Sequence, residues 1–107
     1  MFLGVVFDLK KYNQYAESIK IHGDLFYKKT MVISLNDVSL LNEFLNMEKE
    51  NNNIQRVIIY DYEEFRELKN FKIFENTCSK HRLEFSILRQ DLHSDVPVEL
   101  GYMLQVI

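Results

Sequence analysis

Arg56-Val57-Ile58-Ile59-Tyr60-Asp61-Tyr62-Glu63-Glu64-Phe65-Arg66-Glu67 is the stretch on which the fold turns. Val57 to Tyr60 are all β-branched or aromatic, the composition of a strand. The chain changes character at Asp61. Asp61-x-x-Glu64 has the spacing of a capping box, with Asp61 in place of the usual Ser or Thr. Beyond it, Phe71, Phe74, Cys78 and His81 recur on one face of a predicted helix. Leu83 to Leu88 predicts another strand. A final helix is predicted from Pro97, which suits a first turn, with Ser94 or Asp95 as its cap. Val98, Leu100, Met103 and Leu104 would form its apolar side.

The same alternation extends toward the amino terminus. Phe2 to Asp8 is almost wholly apolar before its closing acid and reads as a buried strand; with no basic residue ahead of it, it does not read as a leader. Tyr12, Tyr15, Ala16 and Ile19 predict a helix over Lys10–Lys20. His22-Gly23-Asp24 would stop it, Gly23 taking positive φ. Met31 to Leu35 predicts a second strand. Asn36 or Asp37 would cap a helix carrying Leu41, Phe44, Leu45 and Glu48, which Asn51-Asn52-Asn53 ends. The fold class is therefore α/β: a small doubly wound, mostly parallel four-stranded sheet flanked by helices, in a single domain over residues 1–107. Ligands of such sheets gather at the carboxyl ends of the strands.

Composition bounds the function. A chain of 107 residues that is 47% hydrophobic, with eight Phe and six Tyr, can build one real core. No apolar run approaches the ~20 residues of a membrane span, so no membrane partner is expected. Cys78 is the single cysteine, which excludes an intramolecular disulfide and suits a reducing cytoplasm. The net charge of −3 argues against tight autonomous binding of nucleic acid. Residues 1–30 nevertheless carry a local +2, from Lys10, Lys11, Lys20, Lys28 and Lys29 against three acids.

From Val57 onward the order of elements resembles the second half of the catalytic domain of serine recombinases, the resolvase/invertase family. Val57-Ile58-Ile59-Tyr60 resembles that family's "V-hydrophobic-V" strand. Tyr62-Glu63-Glu64-Phe65-Arg66-Glu67 stands where the family has "LDRLxR". Arg82-Leu83-Glu84-Phe85 is similar to the next strand, and Asp91 to Val98 to the loop before a long helix. The likeness covers about half the chain, in pattern and spacing more than in identity. A flavodoxin-like fold produces the same alternation.

The residues that the resemblance would need for chemistry differ. Family members attack a DNA phosphate with a serine near the end of the first strand. Here that stretch is Val6-Phe7-Asp8-Leu9-Lys10-Lys11, with no Ser or Arg, and a carboxylate does not substitute for that nucleophile. The two family arginines that would clamp phosphate oxygens have Glu64 and Glu67 in their places, which repel phosphate. The chain also stops at Ile107, within what would be the long helix. The resemblance thus implies a catalytically inactive, truncated relative.

Two other chemistries are open to these residues. Asp8, Asp61 and Asp91 each follow a predicted strand and could converge on Mg²⁺ for phosphoryl transfer or nuclease action, though strand-to-helix junctions favour Asp as a cap in any case. Tyr12, Tyr15, Phe26 and Tyr27 among the first lysines could make a weak nucleic-acid-binding accessory protein. His22, His81 and His93 lack metal-ligand spacing, and His81 suits the carboxyl end of its helix. Cys78 reads as a small core residue. Gly4, Gly23 and Gly101 form no phosphate loop, so no cofactor is expected.

The function expected from these residues is that of a non-enzymatic, regulatory module of the cytoplasm that works by protein–protein interaction. The Asn/Lys/Ile-rich composition suits a phage or mobile-element origin. Its partner is expected to be a protein, a homodimer being one form. The expected contact residues are Asp61, Glu63, Glu64 and Glu67 in the acidic segment, with Tyr102, Met103 and Val106 in the final helix, whose apolar side chains one small sheet would leave uncovered.

Overall fold

The computed structural model describes residues 1–96, and within them the side chains of all but residues 49–52. The elements are β1 (Phe2–Val6), α1 (Tyr12–Leu25), β2 (Thr30–Ser34), α2 (Leu40–Asn52), β3 (Arg56–Ile59), α3 (Leu68–Lys80), β4 (Glu84–Ile87) and β5 (Leu92–His93). Short 3-10 turns occupy Leu9–Lys11 and Tyr62–Phe65. The strand order is β2-β1-β3-β4-β5; the first four strands run parallel and β5 is antiparallel to β4.

Alternation along β1 explains why its whole length is apolar. Leu3 and Val5 point to one face, into a core shared with Leu41 and Leu45 of α2, Phe74 and Cys78 of α3, and Val57, Ile59, Phe85 and Ile87. Phe2 and Val6 point to the other, against Tyr15 and Ile19 of α1 and Ile58. Helices therefore cover both faces, and the sheet is doubly wound as the alternation predicts. The larger core holds an aromatic cluster in which Phe74 lies 5.1 Å from Phe65 and 5.2 Å from Phe85, between ring centroids.

Three details depart from the sequence-based expectation. The sheet has a fifth strand, β5, made of only two residues, Leu92 and His93. So short a segment carries no periodicity to read. It is held by Ser86 Oγ against His93 Nδ1 at 2.7 Å and by the Phe85 N–H donating to Ser94 Oγ at 2.8 Å.

Helix α1 also runs on through His22-Gly23-Asp24 to Leu25 instead of stopping there. Gly23 does not take positive φ. It is needed for proximity, because a Cβ at that position would lie 1.9 Å from Thr30 Oγ1. The stop comes at Tyr27, with φ 55°. The Lys28 N–H reaches Gly23 C=O at 3.0 Å and the Tyr27 N–H reaches Asp24 C=O at 3.0 Å. That is a Schellman ending with tyrosine in the place glycine usually takes. Helix α3 ends alike at Arg82, φ 56°, and Asn53, φ 49°, follows the end of α2.

Third, the Asp61 side chain does not cap the Glu64 N–H. Asp61 Oδ1 accepts the Glu63 N–H at 3.0 Å, while the Glu64 carboxylate extends to the Phe7 N–H after β1 at 3.0 Å. The following turn is a tight 3-10 one, so its second residue, not its third, meets the cap. The expected final helix, with Pro97, Tyr102, Met103 and Val106, lies outside the described residues.

Candidate functional site

After β1 the chain moves to β2 on one side of it and later to β3 on the other, so the order reverses between β1 and β3. In doubly wound sheets this is where a crevice opens and ligands settle. A cavity of about 320 Å³ lies at that point, lined by Phe7, Asp8, Asn36, Asp37, Glu64 and Arg66 among others. The backbone N–H groups just after β1 are the natural donors for a ligand oxyanion there.

In this chain those donors are already taken. Glu64 Oε1 accepts the Phe7 N–H at 3.0 Å and the Asp8 N–H at 3.4 Å. Glu64 Oε2 is buried and makes no hydrogen bond among the described residues. Burial raises the Glu64 carboxyl above its ordinary value of 4.5, the donated N–H groups only partly opposing the rise.

The sign of the linkage follows. A carboxyl raised on folding binds its proton more tightly in the folded chain, so ionised Glu64 costs stability above the raised value. That cost is relieved as pH falls through it toward 4.5. Glu64→Gln keeps an oxygen for both N–H groups and removes the charge. Its melting temperature should exceed that of the parent most at neutral pH. The difference should shrink as the medium is acidified. A difference independent of pH would show that Glu64 is not held as a buried carboxylate.

Asp61 has a different task. It is 1% exposed. Besides the Glu63 N–H, it receives Gln90 Nε2 on Oδ1 at 3.0 Å and Arg89 Nη1 on Oδ2 at 2.7 Å. Burial alone would raise its carboxyl; the donors from Glu63, Gln90 and Arg89 outweigh it and hold the group below the usual carboxylate range. Gln90 also accepts the Tyr62 N–H at 2.9 Å. Asp61 thus ties the turn after β3 to the turn after β4.

Of the expected contact residues, Glu63 and Glu67 face solvent, whereas Asp61 and Glu64 are turned inward and are not available as an outer acidic surface. Tyr102, Met103 and Val106 lie outside the described residues.

The three aspartates of the alternative metal reading are not drawn together. Asp8 caps its own turn through the Lys10 N–H at 3.1 Å. Asp61 is engaged as above. Asp91, at φ 51° in the turn before β5, faces His93 Nε2 at 2.8 Å. Among the described residues no group of three His, Cys, Asp or Glu could hold a metal ion.

His93 also touches Ser86, so Ser86, His93 and Asp91 form a hydrogen-bonded line. Ser86 is only 1% exposed and also receives Arg56 Nη1 at 2.9 Å. The Ser86 hydroxyl, so engaged, ties β5 to β4. Cys78 is buried and its thiol is pushed up to about 12 by burial, so it stays a thiol at neutral pH. His81 is buried with Nε2 2.9 Å from Asn42 Oδ1, joining α3 to α2.

The first lysines are divided. Lys10 and Lys11 precede α1 and Lys28 and Lys29 follow it, about 20 Å apart at 1.5 Å per residue. Tyr15 is buried against Tyr60 at 4.6 Å between centroids, and the Tyr12 hydroxyl donates to Val32 C=O at 3.2 Å. Those two tyrosines belong to the fold and not to a stacking platform.

Sequence reasoning did not find Arg89 and Gln90 as the partners of Asp61, since 28 and 29 residues separate them. Nor did it find Arg66, at φ 66° and ψ −44°, where the Glu67 N–H closes on Phe65 C=O at 2.8 Å. This is a γ-turn of the strained, positive-φ kind, on the wall of the cavity.

The class that fold and site define is a doubly wound α/β domain whose switch-point donors are filled by its own carboxylate. Comparison with family models, with curated proteins and with solved structures gives no match. Among the described residues no helix is long and apolar enough to cross a membrane.

Proposed function

We propose that this chain is a catalytically inactive, resolvase-like α/β module that acts by binding a protein partner, in a regulatory role of the phage or mobile-element type. The observation that carries this reading is Glu64 on the N–H groups of Phe7 and Asp8. A phosphate arriving at the switch point would need those donors and would meet a carboxylate in their place. The resolvase-like part rests on the order from β3 through the turn Tyr62–Phe65, α3 and β4. The inactive part rests also on Asp8, which stands near the end of the first strand where the family carries its serine.

The reading is tested by two measurements on the full chain. Incubated with supercoiled plasmid and Mg²⁺ or Mn²⁺, the protein should leave the DNA intact. Metal-dependent nicking that Asp8→Asn abolishes would overturn the non-catalytic reading. Light scattering over a concentration series should give a mass above the 12.9 kDa of one chain. Deleting Tyr102 to Ile107 should reduce it to the mass of one shortened chain, with the cooperative thermal transition retained. A monomer at every concentration would remove the homodimer as the form of the interaction.

A further inference from the structure

We propose that the recess at the amino-terminal end of the sheet binds a small molecule that joins a planar ring to an oxyanion, phosphate or carboxylate. The inference goes beyond the partner-binding reading and does not depend on it.

The recess encloses about 580 Å³, within the range of about 300–1,000 Å³ that small-molecule sites occupy. It forms where β1, β3 and β4 begin and α1 ends, at the opposite end of the sheet from Glu64. Phe2, His22 and Phe26 make its aromatic side. The Phe26 ring centroid lies 4.9 Å from that of His22 and 6.5 Å from that of Phe2, and Phe2 stacks on His22 at 6.4 Å. Phe26 is still 57% exposed, so part of its ring stays open to a ligand. Burial holds the His22 ring below its ordinary 6.5, and the electrostatics of His93 and Arg56 push the same way, so it adds an uncharged face at neutral pH. A planar ring is what such faces accept.

The polar side offers donors already held in place. The Arg56 side chain is 17% exposed; its Nη1 donates to Phe85 C=O at 3.2 Å and to Ser86 Oγ at 2.9 Å, and its Nη2 meets Asp95. Of the five guanidinium hydrogens these bonds leave the one on Nε and one on Nη2. Two acids also line the recess, and each is engaged: Asp95 by Arg56 and Glu84 by the Ser94 hydroxyl. Lys28 makes no ion pair among the described residues. It is the charge without a partner, and an oxyanion complements it together with the unused Arg56 hydrogens. A free phosphate would leave the rings uncovered, and an apolar molecule would leave Lys28 unpaired, so both halves of the ligand are needed.

Titration of the isotope-labelled full chain with AMP and with indoleacetate, followed by amide resonances, tests the assignment. At least one probe should shift the signals of Phe2, His22, Phe26 and Lys28 and saturate with a Kd below about 1 mM. Adenosine, ribose phosphate, indole and acetate each carry half of the chemistry and should bind about tenfold more weakly. Lys28→Gln should weaken the better probe about tenfold, the loss of one charge-assisted hydrogen bond. Phe26→Ala should do so by a similar factor, the loss of one stacked ring. Both side chains are exposed, so the thermal transition should be retained. Lys29→Gln, outside the recess, should bind like the parent.

Failure of both probes to saturate would overturn the proposal. So would binding that ignores Lys28→Gln and Phe26→Ala, or shifts gathered at the switch-point cavity instead. Saturation that appears only once Tyr102 to Ile107 is deleted would assign the recess to the chain's own closing segment and overturn it as well.

Discussion

Replacing Phe74 with alanine should lower the unfolding free energy by about 3–5 kcal/mol, the range for deleting a fully buried phenyl ring. Phe74 is 0% exposed. Its ring lies against Phe65 after β3, Phe71 one turn earlier in α3, and Phe85 on β4. Those neighbours come from three separate segments, so they cannot move into the void together. For a domain this small the loss is a large share of total stability. Urea unfolding of Phe74→Ala checks it, with Phe74→Leu as the milder companion. A midpoint within experimental error of the parent would mean that the aromatic cluster is not the centre of the core.

Asp61→Ala should cost about 2–4 kcal/mol, combining a lost cap with unsatisfied buried donors. Most of that comes from the Glu63 N–H and the Gln90 amide. Arg89 is 58% exposed at its side chain and regains water, so its ion pair adds little. The pH dependence gives an independent check. Because the Asp61 carboxyl is held low in the fold, its contribution is present above the unfolded value and is lost as pH falls through the lower, folded one. Asp61→Ala should therefore lose its disadvantage in acid, below the ordinary carboxylate range. Glu64→Gln acts in the opposite sense and at higher pH, so the two carboxylates can be separated by titration alone. An Asp61→Ala deficit that persists undiminished in strong acid would assign Asp61 a purely steric role.

The two carboxylates also show where reading the chain succeeds and where it stops. Asp61 at the end of β3 was legible as a cap, because a short acid after a β-branched run has few other uses at a strand-to-helix junction. Its partners were not. Arg89 and Gln90 reach it only because β4 lies beside β3, and that pairing is a property of the folded sheet. By spacing alone Glu64 is half of a capping box, and by the resemblance it is a repulsive substitute for a phosphate clamp. The tight turn Tyr62–Phe65 rotates it instead toward β1, 56 and 57 residues away in sequence, where it fills the donors that a ligand would use. Gly23 gave a similar lesson. In the sequence its missing Cβ signals conformational freedom, whereas the fold uses it as space for Thr30.

The sequence by its own pattern carries the alternation of strands and helices, the two-sided burial of β1, and, with Cys78 as the single cysteine, the lack of any disulfide within these 107 residues. These follow from local periodicity and residue type, which act within a few positions. The tertiary structure alone decided that Glu64 occupies the switch-point donors and that Asp8, Asp61 and Asp91 do not gather into a three-ligand group. Each depends on which segments lie side by side, and that is set by the sum of packing over the whole core and not by any stretch of the chain.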